Sequence, residues 1–156
     1  MIITAWRLEK KKYLDSAFTG EGPRLYGGRW NSVGTSVIYA SSSLALAALE
    51  ILVNALPNKS TSLLKSYLAI QIRFDHSLLG INKKFPKDWY KNPIRPGSQH
   101  HGDRWMKRGD SAVLEVPSAV VPFENNFLIN PNHSSFLEIE FLKPVKFDFD
   151  ERFLAK

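Results

Sequence analysis

Residues 44–56 are built almost wholly from Leu, Ala, Ile and Val, with a single ionisable side chain, Glu50, set among them. Three serines, Ser41, Ser42 and Ser43, stand directly before the run as candidate N-caps, and Pro57 closes it. These signals predict a helix over 44–56, and its apolar character nearly all round predicts burial. The run falls well short of the ~20 residues that span a bilayer, so its packing partners must come from the rest of the chain.

Those partners read mostly as strands. Residues 2–8 alternate loosely, 36–40 form a short β-rich run, 67–74 (YLAIQIRF) alternate clearly, and 112–116 end at Pro117-Ser118. Residues 137–142 and 145–149 read as a closing strand pair around Pro144, 98–108 as a short helix and 83–95 as irregular. Strands around one buried helix, without regular βαβ alternation, predict an α+β fold with a largely antiparallel or mixed sheet, in one domain over residues 1–156. The glycine-rich loop at 19–31, TGEGPRLYGGRWN, has neither the GxGxxG spacing of a dinucleotide-binding turn nor a P-loop, which disfavours a doubly wound domain.

Composition narrows the chemistry. The 156 residues include no cysteine, which excludes disulfides, thiolate zinc sites and a cysteine nucleophile, and fits a reducing cytosol. The apolar start, residues 1–6, lacks a basic flank and is broken by Arg7, so it is too short for a signal peptide, and a soluble cytoplasmic protein is expected. His100 and His101 are adjacent, so on a helix they diverge by about 100° and cannot share a metal as an i, i+4 pair does. No metal site is expected. Between Lys83 and Arg108 lie eight basic residues against two acids, while the rest of the chain is close to neutral. Such a patch attracts nucleic acid, a phosphate-bearing small molecule or an acidic protein, and charge alone does not choose among them.

Four side chains carry candidate chemistry. Glu50 in an apolar helix needs a nearby cation, a hydrogen-bond network or a cleft open to ligand, unless it lies on the one exposed edge of its helix. Arg29 follows Gly27-Gly28, where a backbone can approach a ligand closely and a guanidinium fork can clamp pyrophosphate; the alternative is an ordinary turn arginine. Tyr39 ends a strand just before the Glu50 helix, where its ring either lines a cleft and stacks on a base or packs in the core. Ser118, in VPSAVVP, has no GxSxG elbow and fits a hydrogen-bonding or turn role better than that of a nucleophile.

Taken together, GGRWN at 27–31, IYAS at 38–41, the LALAALE helix to Glu50 and SAVLEVPSAVVPFENNFLINP at 111–131 resemble the RES domain family. WR at 6–7, DW at 88–89, GDRWM at 102–106 and the closing FDFDERF follow in family order. The resemblance implies a fold similar to ADP-ribosyltransferases and a bacterial toxin paired with an Xre-type helix-turn-helix antitoxin. Its substrate would be NAD⁺, cleaved at the nicotinamide glycosidic bond by hydrolysis or phosphorolysis, or used to ADP-ribosylate a protein; no prosthetic group is implied. Arg29, Tyr39, Glu50 and Ser118 fall on the family's catalytic positions, and Arg7, Arg29, Tyr39 and Asn126 on positions expected to bind or support the substrate. Glu50 would stabilise the ribose oxocarbenium or hold the 2′-OH, Arg29 and Arg7 the pyrophosphate, Tyr39 would stack on nicotinamide, and Ser118 would orient ribose or amide.

Two readings of other classes compete. A nucleic-acid-binding module would use the 83–108 patch with Trp89, Tyr90 and Trp105 as stacking platforms, although direct nucleic-acid binding is the less expected outcome. An interaction protein would dock that patch on an acidic antitoxin surface, and this role is compatible with the enzyme.

Overall fold

The computed structural model describes residues 1–55 and 64–154. Eight strands make one sheet: β1 (Ile2–Lys10), β2 (Ile38–Ser41), β3 (Tyr67–Asp75), β4 (Leu79–Ile81), β5 (Val113–Pro117), β6 (Asn125–Ile129), β7 (Glu140–Phe141) and β8 (Val145–Phe147). Their order is β4-β5-β6-β2-β1-β3-β7, with β8 also on β3. Among the described residues the β4–β5 pair is parallel and the other strand pairs antiparallel, so the sheet is mixed, as expected of this α+β fold. Among the described residues three α-helices accompany it, α1 (Glu21–Tyr26), α2 (Leu44–Ala55) and α3 (Pro96–Arg108), with short 3-10 turns between elements.

The expected closing strand pair takes a different form. β7 and β8 do not pair with each other; both lie along β3, Phe141 opposite Ile72 and Val145 opposite Ala69. They are one strand interrupted at 142–144, because Pro144 cannot donate to the ladder. The glycine-rich loop likewise holds a short helix, α1, entered through Gly20 in the left-handed conformation at φ 72°.

Helix α2 starts where the serines predicted it, with Ser43 Oγ accepting from Leu46 N at 3.0 Å. It is described to Ala55; Leu56 and Pro57, expected to end it, lie outside the described residues. Burial all round does not hold: Leu46, Ala47, Leu52 and Ala55 are buried, while Leu49 and Val53 are 41% and 48% exposed. The helix packs on the sheet by one side, and the i, i+4 stripe of Leu49 and Val53 faces away from it.

The register decides which side chains share a face. Trp6 pairs with Ser41, Tyr39 with Leu128, and Leu128 with Leu114, so these five project from the same side of the sheet. On that side α2 covers Leu8, Tyr67 and Ala69, and α3 brings Trp105 against Trp30, Leu114 and Leu128. The opposite side buries Ala5, Ile38, Ile72, Phe74, Val113 and Ile129. Between the α2 and α3 packing regions the sheet splits. Among the described residues β1 and β2 share one registered pair, Trp6 with Ser41, and beyond it Arg7 donates from Nη1 to Tyr39 O at 2.8 Å, replacing the ladder with a side chain. Among the described residues no helix is long and apolar enough to cross a membrane.

Candidate active site

The split opens into a cavity of about 1050 Å³ whose lining includes Arg7, Arg29, Tyr39, Ser41, Glu50 and Asn126. Strand periodicity gathers most of these groups. Tyr39 and Ser41 are two apart on β2, Asn126 lies opposite Ser41 on β6 and opposite Val116 on β5, and Ser118 follows Val116 by two. They therefore project toward the face that α2 crosses, and α2 delivers Glu50 from above.

Glu50 is half-buried, and its Oε1 accepts from Ser118 Oγ at 2.8 Å and Asn126 Nδ2 at 2.6 Å. Both donors are neutral and both reach the same oxygen. Among the described residues no protein hydrogen bond to Oε2 is seen, and Glu50 lines the cavity. The hydrogen-bond network and the cleft expected around this carboxylate are both present, and Glu50 is half-buried, not on an exposed edge.

Ser118 is fully buried, and its hydroxyl is committed. It donates to Glu50 and accepts from Val120 N at 3.1 Å and Val121 N at 3.0 Å. Ser118 does not line the cavity, so its route to a ligand runs through Glu50.

Arg29 is held from behind. Its Nη1 donates to Trp89 O at 2.7 Å and Lys91 O at 3.0 Å, and its Nη2 to Asn92 Oδ1 at 2.8 Å. Burial lowers its pKa, opposed by the charge of Glu50 and then by Tyr39, which places this cation within the electrostatic reach of the carboxylate. Arg7, at the other wall, is paired through Nη2 with Glu9 Oε2 at 2.7 Å, and among the described residues its buried Nε has no hydrogen-bond partner.

The Tyr39 ring lines the cavity while its hydroxyl points away, donating to Asn31 Oδ1 at 2.7 Å and accepting from Trp30 N at 3.1 Å. Burial pushes the phenol well above its ordinary range, which favours its protonated form. This geometry also gives Gly28 a reason different from ligand approach. A Cβ there would lie 2.8 Å from the Tyr39 hydroxyl and 2.9 Å from Asn31 Oδ1. Helix α3 fixes the same loop, with Gln99 Nε2 donating to Gly28 O at 3.1 Å and Asp103 Oδ1 accepting from Ser32 N at 3.0 Å.

The six candidate residues thus converge, five on the cavity and Ser118 behind Glu50. Three contributors carried no role in the sequence. Asn31, fully buried, bonds Tyr39 and also donates to Pro23 O, Ser32 O and Thr35 O. Asn92 holds Arg29 from 63 positions away, and Ser41, legible only as a cap, bonds Asn126. A polar residue directly after an aromatic in GGRWN was the one available hint.

The basic segment looks different from a nucleic-acid platform. Trp105 is 2% exposed, and Trp89 stacks on Trp30 at 6.0 Å and 22°, leaving Tyr90 as the exposed ring of the three. His101 is also turned inward, against Trp30 and Phe85.

The RES domain matches residues 4–150. A Yersinia enterocolitica protein named Toxin Res is 37% identical over 150 residues, covering 94% of this chain and 97% of that one. A Sphingobium protein named Prs ADP-ribosylating toxin is 34% identical over 163 residues, covering 100% and 99%. The crystal structure of the Mycobacterium tuberculosis MbcT–MbcA toxin–antitoxin complex shares the fold, with a TM-score of 0.76 at 18% identity over 95% of this chain and 85% of that one. With a match across nearly its whole length, this chain belongs to the RES domain family.

Proposed function

We propose that the cavity binds NAD⁺ and that the protein, acting as the toxin of a toxin–antitoxin pair, breaks the bond between nicotinamide and the ribose. The observation that carries this reading is the Glu50 carboxylate, fixed at Oε1 by Ser118 and Asn126 and free at Oε2, in a cavity shared with Arg29, Arg7 and the Tyr39 ring. When the glycosidic bond breaks, its electron pair leaves with nicotinamide and neutralises the pyridinium, and positive charge develops on the ribose. A carboxylate held in place beside that charge stabilises it without having to reorganise. Oε2 either faces the oxocarbenium or accepts from a ribose hydroxyl. Arg29, already turned by three acceptors, offers its remaining donors and charge to pyrophosphate, and Arg7 adds a second cation. Tyr39 presents a ring whose hydroxyl is engaged elsewhere, suited to stacking on nicotinamide.

The acceptor is water, phosphate or a protein side chain. The similarity to a protein named as ADP-ribosylating favours transfer to a protein, and the similarity to a chain solved in a toxin–antitoxin complex supports a partner protein, here an Xre-type antitoxin. Exposed Lys83, Lys84 and Lys87 suit an acidic surface on such a partner. The products decide the reaction. Purified protein is incubated with NAD⁺ alone, with phosphate, and with bacterial lysate. Free ADP-ribose identifies hydrolysis, a phosphorylated ADP-ribose identifies phosphorolysis, and adenylate label on a lysate protein identifies transfer. Intact NAD⁺ in all three arms rejects the proposal.

A further inference from the structure

The hydrogen bonds around Glu50 continue one step further. Ser41 Oγ donates to Asn126 Oδ1 at 2.8 Å, and Asn126 Nδ2 donates to Glu50 Oε1 at 2.6 Å. A carboxamide has two nearly isosteric ends, and only the NH₂ end can donate to a carboxylate. Asn126 pairs in register with Ser41 on β2 and with Val116 on β5, so its backbone is held on both sides, while the rotation of its terminal amide is left to its hydrogen bonds. Ser41 is 5% exposed, so its hydroxyl is largely shielded from bulk water although the residue borders the cavity.

We infer that Ser41 is a positioning residue for Glu50: its hydroxyl fixes the Asn126 amide so that Nδ2, not Oδ1, meets the carboxylate. The chain of donors is one-directional. Val120 and Val121 N–H groups turn Ser118 toward Glu50 from one side, and Ser41 turns Asn126 toward it from the other. Both end on Oε1, which leaves Oε2 without a protein donor among the described residues, on a side chain that lines the cavity. Without Ser41 the amide turns over part of the time and sets its oxygen against the carboxylate, and the reacting oxygen loses its orientation. The sequence placed Ser41 among three serines that could cap α2, but Ser43 performs the capping and Ser41 is released for this role.

For its activity readout this inference rests on the NAD⁺-cleavage proposal; a spectroscopic readout stands apart from it. In ¹⁵N-labelled wild-type protein the Asn126 side-chain NH₂ is expected downfield of an ordinary exposed asparagine and slow to exchange, as a donor to a charged acceptor. In Ser41→Ala both signatures fade, while circular dichroism and melting show a folded protein. Nicotinamide release in Ser41→Ala falls by up to roughly tenfold in kcat, the upper scale of one neutral hydrogen bond, with a smaller change in KM. In an Asn126→Ala background, Ser41→Ala has little further effect on kcat, because its route to Glu50 is already gone. An unremarkable Asn126 NH₂ in the wild type, or one unchanged in Ser41→Ala, overturns the inference, as does an equal kcat loss in both backgrounds. A wild type that releases no nicotinamide rejects the proposed function, and the amide spectra then still decide the role of Ser41.

Discussion

Alanine at Gly28 would place a methyl group where two of the most committed polar atoms of the site already are. The added carbon would meet Tyr39 Oη at 2.8 Å, Asn31 Oδ1 at 2.9 Å and Tyr39 Cζ at 3.2 Å. Ordinary contact begins near 3.4 Å, so the pair must retreat by roughly half an ångström. Neither atom has room to do so alone. Asn31 is fully buried and tied to three carbonyls, and the Tyr39 hydroxyl is shared between Asn31 at 2.7 Å and Trp30 N at 3.1 Å. Overpacking of about 1–3 kcal/mol is the expected cost, with one buried hydrogen bond weakened. For a domain of this size that corresponds to a melting temperature lower by roughly 3–10 °C. Gly28 does not have a positive φ, so backbone strain does not confuse the result. Gly22→Ala in α1 is the control: a Cβ there has nothing within 4 Å, and helix propensity gives it about 0.5–1 kcal/mol in its favour. Differential scanning calorimetry reads both variants, and nicotinamide release reports whether Arg29 has been displaced. A Gly28→Ala protein that melts within about 1 °C of wild type would refute the packing explanation.

Tyr39→Phe removes a buried donor and acceptor and should lower stability by about 1–3 kcal/mol, yet raise KM for NAD⁺ far less than Tyr39→Ala, which removes the ring. Equal KM changes in the two variants would show that the ring does not contribute to binding. Ser118→Ala takes one donor from Glu50 and the acceptor from Val120 N and Val121 N, so both melting temperature and kcat should fall, about tenfold for the latter. Burial first, then Arg104 and Arg108, hold the His101 imidazole below its ordinary 6.5, so the folded state favours the neutral ring. The unfolded chain then binds the extra proton, and stability should be complete above about pH 6.5 and decline as pH falls through that value. Melts between about pH 7.5 and about pH 5.5 should show a smaller decline in His101→Asn, and an unchanged slope would remove His101 from the explanation.

The sequence exposed this architecture where one local rule sufficed. Three serines before an apolar run placed α2 within one turn, and alternation in YLAIQIRF gave β3. It failed where pairing decided the outcome. Strand β6 reads as a short apolar FLI among asparagines, and it becomes a strand because β2 and β5 flank it on both sides. Helix α1 carries Gly22 and Pro23 and has little propensity of its own; the loop that Asn31 ties together supports it. Glu50 was legible as an anomaly, because a carboxylate amid apolar residues demands an explanation. Its partners were not, since Ser118 and Asn126 lie 68 and 76 positions away. The resemblance to the RES family named them, and the sheet register explains why they meet.

Glycosidic cleavage through Glu50 is tested most directly by nicotinamide release from NAD⁺, followed by chromatography, in wild type and Glu50→Gln side by side. Glutamine keeps the shape of the side chain and an oxygen for Ser118 and Asn126 to bond, but removes the charge that would stabilise the ribose cation. Wild-type release with a fall of roughly 100-fold or more in the variant is the expected result. Release at equal rates in both proteins would contradict the role of Glu50 and, with it, the proposed site.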